Sequence, residues 1–243
     1  MTKKDGSVLL SALDNYGGYP FNEIYDEVFP VYGQGDVKAA ADLFPVVALV
    51  IWGGGDISPA IYGQKAGRWN GAGDELSRRD RLEVECAEQA LELGIPIIGI
   101  CRGAQLMCAL SGGTLVQHVS GHAGGWHPII TNDGRKFDCP SLHHQMMFPW
   151  PSGKRGVPEW TSIAWTDPAR SKAYFGEPTE ENPEKPTLLT LPGPEQEIIY
   201  IPATRSLCIQ SHPEFIHEQT HPFVDYCNEL AKKYCHFPFK EPQ

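Results

Sequence analysis

The stretch that most limits the folds open to this chain is Val46-Val47-Ala48-Leu49-Val50-Ile51-Trp52, an unbroken apolar run rich in branched side chains. A strand with one wet face alternates apolar and polar residues. One that is apolar on both faces has to be covered on both, which is the situation of a strand inside a parallel sheet flanked by helices. Val8-Leu9-Leu10 and Ile95 to Ile100 read as further buried strands. Between them Ser77, with Asp80 three residues on, makes a capping-box start for a helix whose apolar positions are Leu82, Cys86, Ala90 and Leu93, ended by Gly94 and Pro96. A second helix pattern follows Arg102 (Ala104, Leu106, Met107, Ala109, Leu110) and stops at Gly112-Gly113.

That alternation predicts an α/β fold, an open and mostly parallel sheet with helices on both faces, in which sites gather at the carboxyl ends of strands. Later strands are expected at Pro128–Asn132, Glu197–Ile201 and Leu207–Gln210, and a last helix from near Pro222 to Tyr234. Residues 1–243 read as one domain. Pro151 to Glu195, rich in Pro, Gly, Glu and Lys, is expected to be a surface excursion, a lid or docking surface outside the sheet.

Gly99-Ile100-Cys101-Arg102-Gly103 joins the third strand to the second helix in the form Gly-x-nucleophile-x-Gly. A side chain held on such a sharp turn needs neighbours without β-carbons. A cysteine there lies at a helix N-terminus, whose partial positive charge favours the thiolate, and the amide of Arg102 is aimed where an oxyanion would form. The plainer alternative is a buried cysteine ending a core strand. A nucleophilic thiol needs a base, and His212-Pro213-Glu214 places an imidazole and a carboxylate two residues apart after a candidate strand. Gly53-Gly54-Gly55-Asp56, after the long apolar run, offers a second backbone donor; no Gly-Lys-Ser or Gly-Lys-Thr follows, so it is not a phosphate loop.

The remaining composition narrows the partners. With 20 Lys and Arg against 30 Asp and Glu, the formal charge of −10 repels phosphate backbones and argues against nucleic acid. No apolar stretch approaches the ~20 residues of a membrane span, and none of signal-peptide length follows the N-terminus, so a soluble cytoplasmic protein is expected. The seven cysteines include no Cys-x-x-Cys pair, which gives no sign of a zinc or redox motif.

Four segments together, GGGDISPAIYG (53–63), residues 79–117 around the cysteine, SLHHQ (141–145) and QSHPEF (210–215), resemble the class I glutamine amidotransferase superfamily, most closely its γ-glutamyl hydrolase-like branch. The resemblance implies a flavodoxin-like fold with Cys101 as nucleophile, His212 as base and then acid, and Glu214 as the orienting carboxylate. It implies an oxyanion hole from the Gly53 and Arg102 amides, glutamyl binding by Gly55, Gln105 and His144, and no metal or cofactor. Three departures stand out: Trp52 where proline is usual, Gly55 at a position often acidic, and Cys108 where asparagine is frequent. The implied reaction is cleavage of the γ-glutamyl amide of glutamine or a small γ-glutamyl amine through a thioester. A glutaminase serving a separate synthetase, or an inactive binding module, are the alternatives. A second copy of the chain or a synthetase remains open as partner. Arg102 after the nucleophile, with no ammonia-using segment appended, favours the stand-alone hydrolase.

Overall fold

A computed structural model describes residues 6–13, 16–182, 184–215 and 221–235. Its main sheet has nine strands in the order β2-β1-β3-β4-β13-β12-β9-β6-β7. The first five are β1 (Val8–Ala12), β2 (Glu27–Val31), β3 (Val46–Ile51), β4 (Ile97–Ile100) and β13 (Ser206–Ile209), and all pair in parallel. From β13 outward the pairings turn antiparallel through β12 (Gln196–Ile201), β9 (Thr161–Thr166), β6 (Ala123–Thr131) and β7 (Lys136–Leu142). The chain is therefore α/β as expected, with the parallel half in the 2-1-3-4-5 order of flavodoxin-like sheets and an antiparallel extension beside it.

The apolar runs alternate across this sheet. Leu10, Leu49, Ile51 and Ile97 face one layer with Val37 of α1 (Asp36–Leu43), Cys86 and Ala90 of α2 (Arg78–Glu92) and Leu106 and Met107 of α3 (Arg102–Leu110). Leu9, Val50, Ile98 and Ile209 face the other with Phe223, Tyr226 and Leu230 of α4 (His221–Tyr234). Helices thus cover both faces, which is why β3 and β4 carry no polar residue. The capping box of α2 is present in full: Asp80 N donates to Ser77 Oγ (3.0 Å) and Ser77 N to Asp80 Oδ2 (2.9 Å).

The expectation for 151–195 needs correction. Thr161–Thr166 is β9, lying inside the main sheet between β12 and β6. Six residues bounded by Trp160 and Asp167-Pro168 are too short to show a period, and long-range pairing rather than local pattern makes them a strand. Only the remainder stands outside the sheet. There β10 (Tyr174–Pro178) and β11 (Pro186–Leu189) form a hairpin joined to the body by paired amide and carbonyl bonds between Phe175 and His118 (both 3.1 Å). A second small sheet pairs β5 (Thr114–Val116) with β8 (Met146–Phe148).

Candidate active site

Three neighbouring parallel strands, β3, β4 and β13, end on one side of the sheet, and each delivers one part of the site. At the end of β4 the chain turns sharply into α3. Cys101 sits on that turn at φ 47° and ψ −103°, a conformation that costs a residue with a β-carbon on the order of 1–3 kcal/mol. It is held there by a 2.7 Å bond from its own amide to the Ile209 carbonyl of β13. The flanking glycines are required sterically: a β-carbon on Gly99 would lie 2.6 Å from the Gly103 carbonyl oxygen, and one on Gly103 would lie 2.0 Å from the Ile51 oxygen of β3. The elbow read from the sequence is thus a place where two strands and a helix meet with no room for a side chain.

Beyond β13, His212 is anchored by its amide to the Pro140 carbonyl (3.0 Å), and its ring stacks on Phe215 at 4.6 Å. Its Nδ1 is 2.7 Å from Glu214 Oε1, which orients the ring and leaves Nε2 for the thiol. Burial works against the charged imidazolium, yet hydrogen bonding to Cys101 and Glu214 outweighs it and pushes His212 up to about 10. Cys101, His212 and Glu214 are all buried at the floor of the site. Gly53, at the end of β3, closes the arrangement, since a β-carbon there would lie 2.8 Å from His212 Cε1 and 3.5 Å from Cys101 Cβ. The structure therefore brings Cys101, His212, Glu214 and the Gly53 backbone together.

The Arg102 side chain behaves differently from the surface pairing that a helix-facing arginine suggests. It is buried and ion-paired with Asp80 and Glu83 of α2, both wholly buried. Glu83 also accepts from Arg79 Nε (2.7 Å), and Arg79 Nη2 donates to the carbonyls of Gly53 (2.8 Å) and Trp52 (3.3 Å). One chain of charges thus ties the start of α3 to the Gly53 loop.

Of the remaining expected residues, Gln105 is buried, with Nε2 donating to the Gln145 carbonyl (3.1 Å) and 3.5 Å from Gln210 Oε1. His144 is partly exposed, with Nε2 2.9 Å from Asp56 Oδ1, and that contact raises it above the ordinary histidine value despite burial. Gly55 is exposed with open space where a β-carbon would go. His143, its neighbour's twin in the sequence, turns inward instead, into a buried group away from Asp56. Sequence reasoning missed Gln210, whose Nε2 lies 3.8 Å from the Cys101 sulfur. Its signal was present: in extended chain, positions 210 and 212 share a face.

Over residues 28–148 the chain matches the Peptidase C26 family. It is 38% identical over 118 residues to a candidate glutamine amidotransferase of Mycobacterium tuberculosis, covering 40% of this chain and 37% of that protein. A glutamine amidotransferase-like protein of Lactococcus lactis is 35% identical over 113 residues, 44% of this chain and 57% of that one. The carbamoyl phosphate synthase small chain of Zymomonas mobilis is 35% identical over 75 residues, 31% of this chain and 20% of that one. The similarity thus spans less than two thirds of these relatives. A glutamine amidotransferase structure from Thermotoga maritima superposes with a TM-score of 0.55 at 12% identity, over 95% of this chain and 86% of that one, which shows a shared fold. The Peptidase C26 match running through the Gly53 loop and the Cys101 elbow, the glutamine amidotransferase relatives and the shared fold all agree with the class I glutamine amidotransferase superfamily.

Proposed function

We propose that the chain hydrolyses the γ-glutamyl amide bond of a small γ-glutamyl amine, with Cys101 as nucleophile. The observation that carries this is the convergence of Cys101, the His212–Glu214 pair and the Gly53 backbone at three adjacent strand ends. The thiolate attacks the γ-carbonyl, and the amides of Gly53 and Arg102 stabilise the oxyanion, a contribution worth ~10²–10³ in rate per donor in other acyl-transfer enzymes. His212 passes its proton to the departing amine, and water then cleaves the thioester with His212 as base. Asp56 and His144, an opposite-charge pair beside Gly55, fit the zwitterionic head of a glutamyl group, and Gln105 supports the His144–Gln145 turn that presents it. The β10–β11 hairpin, joined to His118, which lies 6.0 Å from the His144 ring, forms a wall on the amine side.

The similarity to carbamoyl phosphate synthase small chains favours a second reading, a glutaminase that hands ammonia to a synthetase. Purified chain offered glutamine and a panel of γ-glutamyl amines separates the two: turnover of an amine faster than of glutamine supports the hydrolase. Ammonia release from glutamine only after a synthetase is added supports the other.

Because His212 must carry a proton to the leaving amine, turnover should fall as pH rises through about 10. Glu214 is one of the groups that raise His212, so Glu214→Gln should move that alkaline limb to lower pH while costing less rate than His212→Ala. A limb that stays in place in Glu214→Gln would remove Glu214 from the pair.

A further inference from the structure

On the far side of the His212 loop, four metal-ligating side chains from three separate parts of the chain converge: His122 just before β6 and His127 within it, His143 after β7 and Glu197 on β12. All four are buried to 3% exposure or less. We propose that His122, His127, His143 and Glu197 form a tetrahedral site for a divalent cation of the zinc class.

The spacing carries it. His122 Nδ1 lies 3.3 Å from His127 Nε2, each of these is 3.4 Å from Glu197 Oε1, and His143 Nε2 is 3.6 Å from the same oxygen. A tetrahedron with zinc-to-ligand bonds of ~2.1 Å has edges of about 3.4 Å. Four of the six edges thus match that length, and all four ligand atoms lie within 4.8 Å of one another.

The outer contacts fix the ring orientations that such a site needs, since a ligating imidazole normally gives its other N–H to a carbonyl or carboxylate. His143 Nδ1 is 2.8 Å from the Gln145 carbonyl, which leaves Nε2, with no hydrogen-bond partner of its own, facing the cluster. His122 Nε2 faces Glu195 Oε2 at 3.2 Å as an ion-pair contact without hydrogen-bond alignment, and Nδ1 faces the cluster. His127 Nδ1 faces the Pro128 carbonyl at 3.4 Å. Glu197 accepts from Thr166 Oγ1 (3.1 Å) and, on its other oxygen, from Ser211 Oγ (2.8 Å).

Four protein ligands close a zinc site and mark it as structural rather than catalytic. Ser211 immediately precedes His212, so the metal would brace β6, β12 and the catalytic loop as one unit. This inference is independent of the proposed reaction, and metal content is therefore measured on both the wild type and Cys101→Ala. Full-length protein expressed with zinc and freed of loose metal by gel filtration should hold one zinc per chain in both. His127→Gln should lose it, and Glu195→Gln should bind it ~10–100-fold more weakly. Cobalt(II) in place of zinc should give the intense visible absorption of a tetrahedral ion without a thiolate charge-transfer band, since Cys139 lies beside His127 but outside the set. If His127→Gln does not fold, the cobalt spectrum and the Glu195→Gln affinity decide. A folded wild type that takes up no zinc, a six-coordinate cobalt spectrum, or His127→Gln holding as much metal as the wild type would overturn the site in favour of a proton-bridged cluster.

Discussion

Cys101→Ala is expected to reduce turnover of the best γ-glutamyl substrate by ~10⁴–10⁶-fold, the scale seen when a nucleophile is removed from a triad hydrolase. The change deletes only the sulfur. Alanine keeps the β-carbon, so the strained φ of 47° is neither relieved nor worsened. Melting should therefore move by no more than about 4 °C, the shift that ~1 kcal/mol produces in a domain of this size. Cys108→Ala is the control. Its thiol is wholly buried and pushed up to about 12 by that burial, so it supplies no thiolate at neutral pH, and its loss should leave turnover nearly unchanged. An active Cys101→Ala enzyme, measured by release of the amine, would remove Cys101 from the mechanism.

Gly103→Ala is expected to have the largest effect on stability. The new β-carbon would be placed 2.0 Å from the Ile51 oxygen and 2.7 Å from the Ile51 carbonyl carbon, both backbone atoms, with no flexible side chain to move aside. Either α3 lifts from β3 or the elbow distorts. Overpacking of this kind costs roughly 3 kcal/mol or more, a large part of the ~5–15 kcal/mol that holds a typical domain together. Chemical denaturation should show that loss directly, with activity falling alongside it because the same contact sets the position of Cys101. A stable and active Gly103→Ala protein would mean that α3 does not approach β3 as closely as described.

The two predictions rest on features of different visibility. The elbow, the α2 capping box and the run at 46–52 were legible because each depends on near neighbours: a glycine two residues from Cys101, an aspartate three residues after a serine, a strand with no polar face. The same is true of His212 and Glu214, whose spacing of two places both on one side of the chain. β9 was not legible, because Ala164 and Trp165 become a strand only by pairing with residues about 31 to 35 positions away on β12 and on β6. Nor was the chain from Arg102 through Glu83 and Arg79 to the Gly53 carbonyl, since nothing local tells a buried carboxylate from an exposed one.

By itself, then, the amino-acid sequence marked four of the five parallel strands, all but β2, the tight turn at Cys101, and a histidine and carboxylate two residues apart that the fold brings beside it. Only the tertiary structure decided the antiparallel half, the approach of Gln210 to the thiol, and the gathering of His122, His127, His143 and Glu197. The physical reason is range. Turn strain, capping and strand burial act between residues a few positions apart, whereas a cluster drawn from three segments between positions 122 and 197 exists only after strand pairing has closed the intervening loops.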